Sequence, residues 1–491
     1  MSRPAADWSL VLSADDGAET PLFRRISRAI VAEIRRGRLR AGERLPGTRT
    51  LARTLQVNRN TVLAAYEELS GEGWTEPSRA SATFVSRSLP EVRGREFSAR
   101  ASRREEVPAR VGFDLKAAPD LNPVDFTSAP GLMWSSGSPD LRLAPTAQLA
   151  RALRRSLTKQ SRSVLSYGHM HGHPRLRVAL ANMLATTRGL ATSADDVVVT
   201  SGSQMAIDLV SRALFRPGDL VAVEQIGYRS AWAIFQQNGA RLVPIPVDSG
   251  GMDIDALASV AARSPIRAVY ITPHHQYPTT ATLTAGRRIA LLQMARRMRF
   301  AVIEDDYDHE FHYDGRPVLP LASADRSGVV VYVGTLAKIL APGVRLGYVV
   351  APRPLLESIA AHRFLIDRQG VHALELAVAE LLEEGDLQRH VRRARRIYQG
   401  RRDFLARELR KELGEALSFN TPAGGMAIWA KVAPDIDADA WAERALAHEL
   451  VVHTAKRFAF DGWSQPFIRL NFAAFDENEL GGAVKAFKRA L

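Results

Sequence analysis

The stretch VVVYVGTLAKILAPGVRLG, residues 329–347, decides the reading of this chain. Val329-Val330-Val331-Tyr332-Val333 is a run of β-branched and aromatic residues, the pattern of a strand buried on both faces. Gly334 and Thr335 end it, Lys338 stands three residues past Thr335, and Arg345 seven further on. A lysine just beyond a buried strand occupies the place where open α/β sheets bind their ligands. Partly desolvated beside the cation Arg345, such an amine is expected to lose its proton more readily and attack an aldehyde. Taken alone, the stretch also fits a solvated loop lysine.

Two upstream stretches weigh against the loop lysine. Phe300-Ala301-Val302-Ile303-Glu304-Asp305-Asp306-Tyr307 is a second buried-strand pattern and ends in carboxylates and a phenol. Val197-Val198-Val199-Thr200 is a third, running through Ser201-Gly202-Ser203-Gln204 into the helical pattern Met205 to Leu214. A small-residue turn at a helix N-terminus points free N–H groups at an anion, typically phosphate. An amine for an aldehyde, an acid for a pyridinium nitrogen, a phenol and a phosphate cup with a basic clamp are together the needs of pyridoxal 5'-phosphate (PLP).

SGSQ at 201–204, TPHHQYPTT at 272–280, EDDYDHEFHYDGRP at 304–317 and GTLAKILAPGVRLGY at 334–348 resemble the type I aminotransferase fold. More narrowly, they resemble the version found in MocR-type regulators of the GntR family. The resemblance makes Lys338 the Schiff-base lysine. It pairs Asp305 with the pyridine nitrogen and Tyr307 with the ring hydroxyl, and leaves Asp306 and Asp308 structural roles. Ser203, Gln204, Thr335 and Arg345 hold the phosphate, Tyr228 stacks on the ring, and His275 and Gln276 flank it. Arg469, in FIRLNFA, aligns with the arginine that grips an amino acid's carboxylate, a task suited to a bidentate guanidinium. Ala337, Ile226 and Thr280 stand where serine, proline and glycine are usual.

The N-terminal segment carries its own signature. Apolar residues recur at Leu22, Ile26, Ala29-Ile30 and Ile34, a helical period that stops at Gly37. Thr48 to Leu55 forms a second short helix. Asn58 is a credible N-cap for a third from Arg59 to Leu69, ended by Gly71 and Gly73, and Glu76 to Val85 reads as a hairpin. Three helices and a hairpin describe a winged helix-turn-helix. Between Pro21 and Thr61 there are eleven arginines against Glu33 and Glu43 alone. Arg49, Asn58, Arg59, Asn60 and Thr61 surround the first turn of the third helix, where a recognition helix meets base edges and phosphates. PLFRRISRAI, RLPGTRTLA and VNRNTVLAAYEELSGEGW resemble the GntR DNA-binding domain, with Ala80-Ser81-Ala82 in place of the usual Gly-Ser-Gly wing and Gly47 where a hydroxyl residue is usual.

Length and charge bound the rest. A chain of 491 residues suggests about three folding units, and a net charge of +13 favours a polyanionic partner. Absence of cysteine excludes disulfides and thiolate metal sites and suits a reducing cytoplasm. No run approaches the ~18 apolar residues of a membrane span, and no Walker A loop or dinucleotide fingerprint is present. The expected organisation is a winged helix-turn-helix over 20–87, a linker over 88–112, a large α/β PLP-binding domain over 113–352 and a small α+β domain over 353–491. Seven strand candidates lie at 197–201, 220–224, 241–247, 268–272, 300–305, 329–334 and 346–351. Only ten residues separate Thr335 from Leu346, too few for a crossover, so the last strand runs antiparallel to its predecessor in a mostly parallel seven-stranded sheet. Strands at 426–431 and 467–472 belong to the small domain.

His169, His171 and His173 alternate in YGHMHGHPRLR, and His309 and His312 lack the HExxH spacing; no metal is assigned to either set. The reading is a cytoplasmic transcription regulator, and the resemblance implies a homodimer with head-to-tail, domain-swapped packing. It binds double-stranded operator DNA and senses an amino compound by exchange at Lys338. A working aminotransferase carrying a DNA-binding domain, and a vitamin B6 sensor, are the alternatives.

Overall fold

The computed structural model describes residues 20–77, 82–90, 112–115, 131–134, 137–315 and 317–491. Ala80 and Ser81 of the expected wing, and most of the expected linker, lie outside the described residues. The chain forms two compact units, residues 1–117 and 118–491.

The first unit packs α1 (Leu22–Arg35), α2 (Thr48–Thr54) and α3 (Arg59–Gly71) against a hairpin of β1 (Thr75–Pro77) and β2 (Thr83–Val85). The helical period of α1 puts Ile26, Ile30 and Ile34 on one buried face, against Val62, Tyr66 and Leu69 of α3 and Leu51 of α2. Each such isoleucine contributes roughly 1.5–3 kcal/mol by leaving water. The Tyr66 hydroxyl donates to Pro46 O at 2.8 Å, fixing the approach to α2. Asn58 caps α3 as expected, its Oδ1 accepting from Asn60 N at 2.9 Å.

The second unit is built on a seven-stranded sheet. In chain order its strands are β3 (Val197–Thr200), β4 (Leu220–Glu224), β5 (Arg241–Ile245), β6 (Ile266–Ile271), β7 (Ala301–Asp306), β8 (Val330–Thr335) and β9 (Gly347–Val350). The spatial order is β3-β9-β8-β7-β6-β4-β5. Every pairing is parallel except those of β9, which runs antiparallel to both β8 and β3. The short β8–β9 connection dictates that reversal. Most of the strand positions are buried because helices cover both faces, which is why the strands read as near-continuous apolar runs.

Beyond it, the 28-residue helix Asp386–Leu413 leads into an antiparallel sheet of β10 (Leu417–Ser418), β11 (Ala427–Val432), β12 (His453–Thr454) and β13 (Phe467–Asn471), ordered β10-β11-β13-β12. The long, partly basic helix buries Ala394, Tyr398, Leu405 and Leu409 along one face and leaves most of its arginines toward solvent. Among the described residues, no helix is long and apolar enough to cross a membrane.

Candidate functional site

Parallel strands bring their C-terminal ends to one edge of the sheet, and the site gathers there. After β8, Leu336, Ile339 and Leu340 are buried and close a single helical turn, Leu340 N donating to Leu336 O at 2.8 Å. That turn holds the half-buried Lys338 with its Nζ 2.7 Å from Gly137 O. Burial, and after it the Arg469 guanidinium, push the Lys338 amine down to about 8, with Asp308 and Asp305 opposing. The cation acting on Lys338 is therefore Arg469 rather than Arg345. Sequence proximity suggested Arg345, but the turn sends its side chain elsewhere.

Arg345 adopts a left-handed φ of +53° and reaches Ser201 O at 3.0 Å. It thus lies over the N-terminus of α4 (Ser203–Leu214), whose cap is Gly202 at φ +87°. A Cβ on Gly202 would sit 2.9 Å from an Arg345 nitrogen, and one on Gly347 would sit 2.7 Å from Gly202 C. Two glycines are what allow β9, the helix start and the guanidinium to crowd together. Ser203 and Gln204 occupy the first turn of α4, half-buried and exposed respectively. Thr335 is buried, its hydroxyl 3.4 Å from Leu346 O and accepting from Ala337 N at 3.2 Å. Free helix N–H groups and a guanidinium facing one space form an anion site.

Asp305, near the end of β7, is 5% exposed. Its Oδ2 accepts from the Tyr270 hydroxyl at 2.7 Å, while its Oδ1 is buried with no hydrogen-bond partner among the described residues. Burial pushes this carboxyl up to about 6, although the Tyr270 hydroxyl acts to lower it. An orphaned buried acceptor of this kind is satisfied by a protonated ring nitrogen. The Tyr307 hydroxyl is 2.9 Å from His275 O, and burial raises its pKa well above that of an ordinary phenol. Tyr228, half-buried, meets Tyr277 edge-on at 5.9 Å, and Tyr277 meets Tyr307 at 6.0 Å. Despite Ile226 in place of proline, the loop before Tyr228 is pinned by Gln276 Nε2 to Ile226 O at 2.8 Å and Gly227 N to Phe458 O at 2.9 Å. Thr280 takes φ +63°, so the turn keeps the left-handed shape that a glycine adopts freely, at a cost on the order of 1–2 kcal/mol.

Arg469, on β13, is 1% exposed and lies 5.0 Å above the Tyr277 ring. A Cβ on Gly137 would sit 3.7 Å from Lys338 Nζ and 3.9 Å from an Arg469 nitrogen, so Gly137 lines the space beside both cations. Its segment is clipped down by Asp140, which pairs with Arg401 at 2.9 Å, and by Asn471 Nδ2 to Ser138 O at 3.2 Å. Gly137, Tyr270 and Glu224 are site residues that no motif marked. Glu224 holds Thr272 Oγ1 at 2.8 Å, and burial raises its carboxyl to about 8. Asp306 and Asp308 serve the framework: Asp306 accepts from the Tyr332 hydroxyl at 2.6 Å, and Asp308 holds His275 Nδ1 at 2.8 Å. An amine, an orphaned acid, a phenol and an anion cup at one sheet edge fit PLP.

In the first unit, Arg49, Asn58, Arg59 and Asn60 are exposed and Thr61 is half-exposed. Arg59 Nε lies 3.4 Å from Thr48 Oγ1, so the start of α3 and the start of α2 present one basic surface.

Comparison with known proteins gives two family matches: bacterial regulatory proteins of the gntR family over residues 22–85, and aminotransferase class I and II over 130–487. The chain is 30% identical to the probable rhizopine catabolism regulatory protein MocR of Rhizobium meliloti, covering 98% of this chain and 96% of that protein. It is 28% identical to the HTH-type transcriptional regulator TauR of Rhodobacter capsulatus, covering 97% of each. Among solved structures, the α-aminoadipate aminotransferase LysN of Thermus thermophilus, complexed with N-(5'-phosphopyridoxyl)-L-leucine, superposes with a TM-score of 0.69. Its identity is 28%, over 74% of this chain and 92% of that one.

Proposed function

This chain belongs to the MocR-type subfamily of GntR transcription regulators, and on that premise we propose that its aminotransferase-like unit senses a small amino compound through PLP held at Lys338. The observation that carries this reading is the meeting of a lysine of lowered pKa, an orphaned buried carboxylate and a buried arginine around Gly137 and the ends of β7 and β8.

Bound there, PLP supplies an electrophilic carbonyl that takes one primary amine at a time. Lys338 is the resident amine, and with its pKa near 8 a useful fraction is unprotonated at neutral pH. Asp305 would keep a proton on the ring nitrogen, Tyr307 would meet the ring hydroxyl, Tyr228 would pack on the ring and His275 would stand beside it. Ser203, Gln204, Thr335 and Arg345 would anchor the phosphate. Arg469 orients an incoming carboxylate by a charge-assisted pair. An amino effector would compete with Lys338 for that carbonyl, and the freed lysine would shift the domain equilibrium by no more than the effector's differential affinity for the two states. Arg49, Asn58, Arg59, Asn60 and Thr61 contact the operator, and a cytoplasmic homodimer with head-to-tail packing belongs to the same reading.

Turnover as an aminotransferase is the second reading. It is favoured by the completeness of the site and by the likeness to LysN; steady-state assays with amino donors and 2-oxo acids separate the two. The first reading is tested by saturating the protein with PLP, reducing with borohydride and mapping the modified peptide. Attachment at Lys338, lost in Lys338→Ala with the DNA-binding domain still folded, is expected. An unmodified Lys338 after reduction overturns it.

A further inference from the structure

Strands β6 and β7 are adjacent and parallel, with Ile271 opposite Glu304. The residues just past their ends, 274–275 and 308–312, therefore leave the sheet side by side. Four histidines come together there. The His274 ring lies 4.3 Å from that of His275 and 4.5 Å from that of His309, and His312 stands 6.0 Å from both His274 and His275. One ring nitrogen from each of His274, His275 and His312 lies within 4.8 Å of the other two.

We propose that His274, His275 and His312 form a binding site for one divalent late transition metal ion, of which Zn²⁺ is the reference. Two independent observations bear on it. First, His274 and His275 are 3% and 2% exposed, yet His274 Nδ1 and Nε2, His275 Nε2 and His312 Nδ1 are buried with no hydrogen-bond partner among the described residues. Buried polar atoms left without partners are costly, on the order of 1–3 kcal/mol each, and call for an occupant. Second, Asp308 Oδ1 lies 2.8 Å from His275 Nδ1. That carboxylate fixes the proton on Nδ1 and leaves a lone pair on Nε2, the outer-shell arrangement that orients metal-binding histidines. Gly424, which bridges to His312, brings its backbone close to His275 Nε2, where a Cβ would collide.

The donor set decides the class of ion. Three neutral imidazoles without a thiolate suit Zn²⁺, Ni²⁺, Co²⁺ or Cu²⁺ rather than Mg²⁺ or Ca²⁺. Tetrahedral Zn–N bonds of about 2.0–2.1 Å place ligand nitrogens roughly 3.3 Å apart. The three rings must therefore close by about 1.5 Å at most, within reach of small χ rotations. Three protein ligands leave a fourth position for water or another donor. Sequence spacing gave no hint of the site, because two ligands follow β6 and one follows β7. The alternating His169, His171 and His173 do not gather: His173 instead caps the helix Pro174–Arg188 and meets His372 at 5.6 Å.

The test is a Co²⁺ titration of the full-length, untagged, chelator-treated protein, followed by visible spectroscopy. One Co²⁺ per chain with the intense bands of a four-coordinate site, displaced by one equivalent of Zn²⁺, is expected. His274→Ala and His312→Gln should each weaken Co²⁺ binding by about 100-fold, at or above the loss seen when outer-shell partners are removed. Both variants should keep operator binding and PLP trapping at Lys338, which reports an intact fold. His169→Ala should bind Co²⁺ as the parent does. No Co²⁺ uptake by the parent at 100-fold molar excess, bands that persist in both ligand variants, or bands lost in His169→Ala would each overturn the assignment.

Discussion

Arg469 and Lys338 sit 131 positions apart in the chain and act on each other beside the Gly137 backbone. Arg469 lowers the Lys338 pKa by charge repulsion, second to burial. A lysine with a lowered pKa sheds its proton earlier as pH rises, so the reactive amine accumulates through about pH 8 and is blocked below it. Arg469→Gln removes the repulsion. The midpoint of PLP trapping against pH should therefore move upward in this variant. Its affinity for a carboxylated amine should fall by roughly 1.5–3 kcal/mol, the range for hydrogen bonds to charged groups. Stopped-flow trapping across pH and titration with candidate amines measure the two effects. An unmoved midpoint denies the electrostatic link, and undiminished effector affinity denies the carboxylate grip. At this scale the sequence was legible where motifs carry chemistry in line, as around Asp305 and Lys338. Gly137, Tyr270 and the charge on Lys338 were not legible, because each depends on a partner brought in by another strand or domain.

Elements were more legible than their contacts. All seven sheet strands stand out as β-branched runs because both of their faces are covered, and the reversal of β9 followed from a connection too short to cross over. Strands β10 and β12 were missed: each has two residues, too few to show an alternation. In the first unit, helix α3 starts at Asn58 because the side chain of Asn58 satisfies Asn60 N, which also turns Arg59 toward the start of α2. Replacing Arg49 or Arg59 with alanine should therefore weaken operator binding. Loss of a phosphate contact lowers the log–log salt slope by about one, and loss of a base contact costs about 1–3 kcal/mol and relaxes specificity at one position. Fluorescence anisotropy over a salt series distinguishes the two. Unchanged affinity in both variants at matched salt would remove α3 from the operator.

The whole molecule joins a small helical unit, complete within its first 90 or so residues, to a sheet whose members are drawn from across 150. Strand β3 is the first of the seven to be made, yet it pairs with β9 alone, Val197 lying opposite Val350. During synthesis at about 5–20 residues per second, Val197-Val198-Val199 waits on the order of ten to thirty seconds for its one hydrogen-bonding neighbour. For that interval an apolar edge is open to other chains. A chain stopped at residue 340, which has β8 but lacks β9, should collect in the insoluble fraction, whereas one stopped at residue 90 should remain soluble and helical by circular dichroism. The ribosome thus delivers the helix-turn-helix part as a finished object first, while the aminotransferase-like part exists as an unclosed intermediate until a strand encoded some 450 nucleotides later arrives to seal it.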